Sequence, residues 1–179
     1  MLQTFTVYVE DKPGVLNRVA SSFRRRGFNI ESLAVGHTHK PGISRMTIVV
    51  EADGFTARRI EANLYKLVNV LLVENITYDD KVIRELALVK VRTSPENRLE
   101  IFQTVEVYRS KIVDVTTESV MVEVTGPTAK IDSLVEVFEP YGIIEMVRTG
   151  VIGMGRGPYA PAISPEFVEA VVPEEAVAK

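Results

Sequence analysis

The stretch Asp11-Lys12-Pro13-Gly14-Val15-Leu16, followed one helix length later by Gly27-Phe28-Asn29-Ile30-Glu31-Ser32-Leu33, is the most informative part of the chain. Ahead of it, residues 4–9 alternate as a half-buried strand does, with Phe5, Val7 and Val9 on one face and Thr4, Thr6 and Tyr8 on the other. Asp11 can accept hydrogen bonds from nearby backbone, Pro13 fixes φ, and Gly14 lets the chain bend or be approached closely. A helix is then predicted with Val15, Leu16, Val19, Ala20 and Phe23 on its inner face and Asn17, Arg18, Ser21 and Ser22 outside. Gly27 is placed to end it, after three arginines that complement the negative end of the helix dipole. The first N–H groups of such a helix lack internal partners and face the turn, where a carboxylate can bind. The same residues also describe an ordinary, well-capped strand–helix corner, and spacing alone does not choose between the two.

Composition narrows the classes. At 179 residues the chain can form one large or two small domains, and 46% hydrophobic residues suffice for real cores. No apolar run reaches the length of a membrane span, so no membrane partner is expected. Strand-like alternation begins at once with no small-residue cleavage site behind it, and no signal peptide is expected. The absence of cysteine excludes disulfides, thiolate catalysis and zinc–thiolate sites, and is compatible with the cytoplasm. A net charge of −3 gives no reason to expect a nucleic-acid partner.

One topology is predicted twice, which makes the fold class α+β, with two ferredoxin-like βαββαβ domains. In the first half, strands are expected over about 29–37 and 44–51, separated by the turn residues His39-Lys40-Pro41-Gly42. A helix from about Thr56 carries Ile60, Leu64, Leu67 and Val68 along one face, and a strand follows over about 70–77. Asp79-Asp80-Lys81 reads as a polar joint. The second half repeats the order with a strand at 86–91, a helix opened by Ser94-Pro95-Glu96, and strands at 111–115 and 120–124. A helical stripe of Ile131, Leu134, Val135 and Phe138 and a last strand over 143–152 complete it. The expected division is therefore a domain at 1–79, a linker at 80–83, a domain at 84–157 and a flexible tail at 158–179, punctuated by Pro158, Pro161, Pro165 and Pro173.

The uncovered sheet face of the first half is expected to carry Tyr8, Leu33, Val35 and Val49 among threonines, too apolar to leave in water. A half-domain of about seventy residues also buries only about 60% of its chain surface. Pairing with a second copy as a homodimer is expected to cover sheet edges and this face together.

No nucleophile–base–oxyanion set is visible, so no catalytic residue is assigned and catalysis by this chain alone is not expected. His37 and His39 would share a face of a strand, but no cysteine or carboxylate pair completes a metal site, and they read as polar residues at a strand end. Arg24-Arg25-Arg26 suggests an RNA surface, yet the strand Ser44-Arg45-Met46-Thr47-Ile48-Val49 lacks the exposed aromatics on which bases stack. The arginines read as a solvated helix end. Gly153-Met154-Gly155-Arg156-Gly157 has no helix behind it to supply a dipole to a phosphate, and reads as a flexible exit from the last strand.

Several stretches follow one another in order: Gly14-Val15-Leu16 with Arg18-Val19, Arg26-Gly27-Phe28-Asn29-Ile30-Glu31-Ser32-Leu33, Ser44-Arg45-Met46-Thr47 and Lys66-Leu67-Val68-Asn69-Val70. They are joined by Glu85-Leu86-Ala87-Leu88-Val89-Lys90-Val91, Ile112-Val113-Asp114-Val115 and Arg148-Thr149-Gly150-Val151. Together, over about residues 2–157, these resemble the small regulatory subunit of acetolactate synthase (acetohydroxyacid synthase), with an ACT domain at the N-terminus.

That resemblance implies a non-catalytic subunit that associates with a large catalytic subunit. Thiamine diphosphate, magnesium and FAD are then expected in the large subunit and no cofactor in this chain. The large subunit joins two 2-oxo acids with loss of carbon dioxide, on the way to valine, leucine and isoleucine. The small subunit raises that activity and confers feedback inhibition by a branched-chain amino acid, commonly valine. The implied effector site lies between two chains, with Asp11, Lys12, Pro13, Gly14, Val15 and Leu16 of one facing Asn29 and Ile30 of the other. The family often has asparagine where Asp11 stands; a carboxylate there repels the effector's carboxylate and attracts its ammonium. The second domain is implied to couple to the catalytic subunit. Two rival readings are an ACT-type sensor serving another biosynthetic enzyme or regulator, and a ferredoxin-like nucleic-acid-binding protein.

Overall fold

The computed structural model describes residues 1–158 and 161–163. They form two compact units: Met1–Val82 together with the described residues from Gly153 on, and Ile83–Ile152. In the first unit β1 (Leu2–Glu10), α1 (Val15–Arg24), β2 (Ile30–His37), β3 (Ile43–Glu51), α2 (Gly54–Leu64) and β4 (Val70–Asn75) follow the predicted order. The sheet is antiparallel with strand order β2-β3-β1-β4, which leaves β2 and β4 as its edges. Phe5, Val7, Met46, Ile48 and Val50 of the central strands are buried with Val15, Val19 and Phe23 of α1 and Ala57, Ile60 and Leu64 of α2. Gly27 does end the first helix. Its φ is +72°, its N–H bonds the Arg24 carbonyl at 3.1 Å, and the Phe28 N–H bonds the Phe23 carbonyl at 3.2 Å, the paired bonds of a left-handed glycine cap.

The second sheet contains β5 (Lys81–Arg92), β6 (Lys111–Val115), β7 (Ser119–Gly126) and β8 (Ile143–Arg148), with α3 (Arg98–Val107) and α4 (Thr128–Phe138) between them. Its order β6-β7-β5-β8 repeats that of the first sheet, and a short β9 (Ile152–Gly155) adds a fifth strand by pairing with β5. The alternation of Val120, Val122 and Val124 proves decisive: all three are fully buried with Ala87, Val89 and Val91 against Ile101, Ile131, Leu134 and Phe138. The fold is α+β with two sheets in the βαββαβ order, as expected.

Several local expectations are corrected. Helix α2 begins at Gly54, where the Asp53 carboxylate accepts from the Thr56 N–H at 2.7 Å. It stops at Leu64 because the backbone then tightens into i→i−3 bonds, Lys66 to Asn63 and Leu67 to Leu64. Leu67 still packs on the core, but Val68 is 88% exposed. Strand β5 begins at Lys81, inside the expected polar joint. Helix α3 starts at Arg98 rather than at Ser94-Pro95-Glu96, since Asn97 Oδ1 accepts from the Ser94 N–H at 2.7 Å and closes a turn first. The single last strand is two, β8 and β9, parted by Gly150 with φ +79°. The Gly153–Gly157 stretch is therefore partly strand, and its described residues return to the first unit.

The open face of the first sheet differs most. Leu33 pairs with Ile48 and Val35 with Met46, on the helix side, while Ser32, Ala34 and Gly36 oppose Val49, Thr47 and Arg45. A bulge between Ile30 and Ser32 inserts Glu31 and resets the alternation. Tyr8 and Val49 lie on the open face as predicted, but Tyr8 and Ile43 are covered by Ile163 of the same chain. Apart from Pro158, Pro161, Ala162 and Ile163, the expected tail lies outside the described residues.

In the second unit a buried charge ties β5 to β8. Glu85, whose side chain is 5% exposed, accepts from Arg148 Nε at 2.8 Å and Nη2 at 2.7 Å, and Arg148 Nη1 reaches Asp132 at 2.7 Å. Breaking such a pair from one side leaves an uncompensated buried charge, at a cost of about 3–5 kcal/mol. Arg148→Ala is expected to destabilise by about 3 kcal/mol in urea unfolding, with the Glu85→Leu/Arg148→Leu double variant recovering most of the loss; equal losses in both would contradict this role.

Candidate functional site

The corner after β1 is built by backbone bonds. The Asp11 N–H donates to the Gly42 carbonyl at 2.8 Å, the Lys12 N–H to Glu10 at 2.9 Å, and the Val15 N–H to Lys12 at 3.3 Å. Gly14 occupies the helix N-cap with φ +82° and ψ −5°, a left-handed conformation that glycine adopts without steric cost. No side chain caps the helix. The N–H groups of Gly14, Leu16 and Asn17 carry no hydrogen bond among the described residues, so three donors gather at one exposed corner. Val15 is buried in the core, as predicted. Leu16, expected on the same face, is instead 44% exposed beside these donors.

Asp11 is held from two sides. Ser44 Oγ donates to its Oδ1 at 3.2 Å, and His37 Nδ1 stands 3.3 Å from its Oδ2. His37 is the last residue of β2, so its observed partner is the turn itself. Asn69, just before β4, is a positioning residue that the sequence reading does not single out. Its side-chain amide donates to Glu10 Oε2, its Oδ1 accepts from Arg18 Nη1 at 2.7 Å, and its carbonyl accepts from the Glu10 N–H at 2.9 Å. These contacts clamp the end of β1 to α1. The Asn69 amide above all holds the Glu10 carboxyl below the usual glutamate range, with help from Lys12. No signal of spacing marks such a residue, because its partners are about fifty and sixty positions away in the chain.

Asn29 and Ile30 lie elsewhere. Asn29 is exposed just before β2, and its amide donates to Glu31 Oε1 at 2.6 Å. The far end of β2 touches Asp11, and the strand between spans roughly 23 Å at about 3.3 Å per residue. Within one chain the two predicted halves of the site are therefore apart.

The hollow at the other end of α1, lined by Phe23, Arg26, Phe28, Ile60 and Asn63, is stoppered by Arg26, which donates to the Ser22 carbonyl at 3.0 Å and to Asn63 Oδ1 at 3.0 Å. Among the described residues, no cluster of three or more His, Asp or Glu could hold a metal ion, and no helix is long and apolar enough to cross a membrane.

Comparison with known proteins assigns both units. Residues 5–72 match a family model described as the AHAS small subunit-like ACT domain, and residues 84–157 match one described as the small subunit of acetolactate synthase. The acetolactate synthase small subunit of Mycolicibacterium smegmatis is 50% identical over 155 residues, covering 87% of this chain and 91% of that one. The Bacillus subtilis small subunit is 41% identical over 172 residues, covering 96% and 100%. A crystal structure of the Thermotoga maritima small subunit superposes with a TM-score of 0.82 at 40% identity, covering 89% of this chain and 99% of that one.

The Asn69 clamp has a pH signature. Because Glu10's carboxyl is held low in the folded chain, its contribution to stability is present above the ordinary glutamate pKa and is lost as pH falls through the folded-state value. Asn69→Ala is expected to raise the Glu10 pKa in a carboxyl-resolved NMR titration. The variant's stability deficit should be full at neutral pH and shrink as pH falls below the ordinary glutamate range. A deficit constant across that window would contradict the role of the carboxylate.

Proposed function

The chain belongs to the acetolactate synthase small-subunit family, and from that premise we propose that it binds a branched-chain amino acid, valine foremost, and passes the occupancy of that site to a large catalytic subunit in the cytoplasm. The observation that carries this reading is the Gly14 corner: three unbonded N–H groups beside an exposed Leu16 and the Asp11 carboxylate. An α-amino acid has a matching set of groups. Its carboxylate takes the N–H groups at the helix start, its ammonium takes Asp11, and its aliphatic branch lies on Leu16.

The distance between the corner and Asn29 supports a site shared by two chains. β2 stands at the edge of the sheet formed by the described residues. If two copies join antiparallel through β2, the start of the partner's β2 lies beside the end of this one, and hence beside Asp11. Asn29 and Ile30 then complete the corner from the second chain. The need for a homodimer rests on this edge rather than on the open face. The second unit is assigned to coupling with the large subunit, which holds thiamine diphosphate, magnesium and FAD and performs the chemistry.

Reconstitution tests the reading. Adding this chain to a large subunit is expected to raise acetolactate formation and make it sensitive to valine. Acetolactate formation by the chain alone, or no effect on any large subunit, would overturn it. Gly14→Asp probes the corner itself. A Cβ at Gly14 meets nothing within 4 Å, and although φ +82° strains any side chain there, aspartate is among the residues that visit the left-handed region, so the change adds a negative charge together with some backbone strain. Calorimetry is expected to show valine affinity falling at least about tenfold, equivalent to one lost charge-assisted hydrogen bond. Association with the large subunit should persist. Unchanged valine binding would remove the corner from the site.

A further inference from the structure

Both family matches end by residue 157, yet the chain continues and comes back to the first sheet. Ile163 is buried against Tyr8 and Ile43, with Leu71 and Leu72 alongside. Earlier in the same segment, Arg45 Nη2 donates to the Gly153 carbonyl. Arg45 Nε donates to the Tyr8 hydroxyl at 3.0 Å, and its guanidinium stands 5.5 Å from the Tyr8 ring centroid. The segment is thus fastened to the face opposite α1 and α2 at two places, one polar and one apolar.

Strand β3 supplies both fastenings through alternate residues, Ile43 and Arg45. The residue between them, Ser44, points the other way and donates to Asp11 Oδ1 at 3.2 Å. Just before them, the Gly42 carbonyl accepts the Asp11 N–H at 2.8 Å. One short piece of strand therefore holds the Gly14 corner on one side and the C-terminal residues on the other.

We propose that the described residues 153–158 and 161–163 form a strap whose seating on the open face of the first sheet is coupled, through Ile43-Ser44-Arg45, to occupancy of the Asp11–Leu16 corner. This rests on the effector reading of that corner. Asp11 accepts from Ser44 at Oδ1 and has His37 Nδ1 3.3 Å from Oδ2, which leaves lone pairs for an ammonium without displacing either. Effector binding then fixes the corner, steadies the end of β3 and tightens the strap. Coupling of this kind is reciprocal, so loosening the strap weakens effector binding by the same factor.

Amide exchange followed by NMR on the full chain tests it, reading Gly153 to Gly157, Ala162 and Ile163, with the β1–β3 ladder as the control for folding. Without ligand, Ile163→Asp and Ser44→Ala are each expected to speed exchange of these amides at least about fivefold. Valine should slow them in the wild type and weaken in affinity by a similar factor in Ile163→Asp. Fast exchange in Ile163→Asp with unchanged exchange in Ser44→Ala would overturn the coupling, as would unchanged exchange in both. If Ser44→Ala loosens the strap but valine neither binds nor alters exchange in the wild type, the link through β3 is upheld and the effector reading of the corner falls.

Discussion

The antiparallel pairing of β1 with β3 is the constraint on which both the candidate site and the strap depend. It runs in unbroken register from Leu2↔Glu51 to Glu10↔Ile43, so Asp11 leaves the sheet where Gly42 and Ser44 can hold it. Burial of Phe5, Val7, Met46, Ile48 and Val50 on one face fixes that register. A slip of one residue would turn Ser44 toward the strap and Arg45 toward the corner, exchanging the roles of the two faces. The core thus specifies the site indirectly. Nothing in the corner needs to be strongly stabilising, provided the strands beneath it cannot shift.

The parts legible in the sequence are those set by local periodicity and by residues with a single conformational use. Val120, Val122 and Val124 alternate because one face of β7 is fully buried, and Gly27 ends α1 because the left-handed cap costs a glycine nothing. The Gly14 corner is legible for the same reason. What escaped depends on partners distant in the chain. The bulge at Glu31 moves Leu33 and Val35 to the helix side, and no local pattern announces it. Leu16 fits the apolar stripe of α1 yet stands exposed in the first turn, next to the buried Val15. Asn69 and Arg45 act through Glu10, Arg18, Tyr8 and Gly153, contacts that only the folded chain assembles.

The corner offers N–H donors, one carboxylate and an aliphatic side chain, groups that match in kind those of the amino acid proposed to bind there. The proposed division of the site between two chains has a further consequence: binding and assembly reinforce one another, since each ligand would bridge both protomers.

Mixed dimers distinguish a site divided between two chains from one held within a single chain. Gly14→Asp and Asn29→Ala homodimers should each bind valine poorly. In a heterodimer of the two, a site shared between chains places both defects in one pocket and leaves the other pocket whole. Calorimetry on purified heterodimers is therefore expected to find one site per dimer with wild-type affinity. Failure to recover any such site would show that each chain binds its ligand alone.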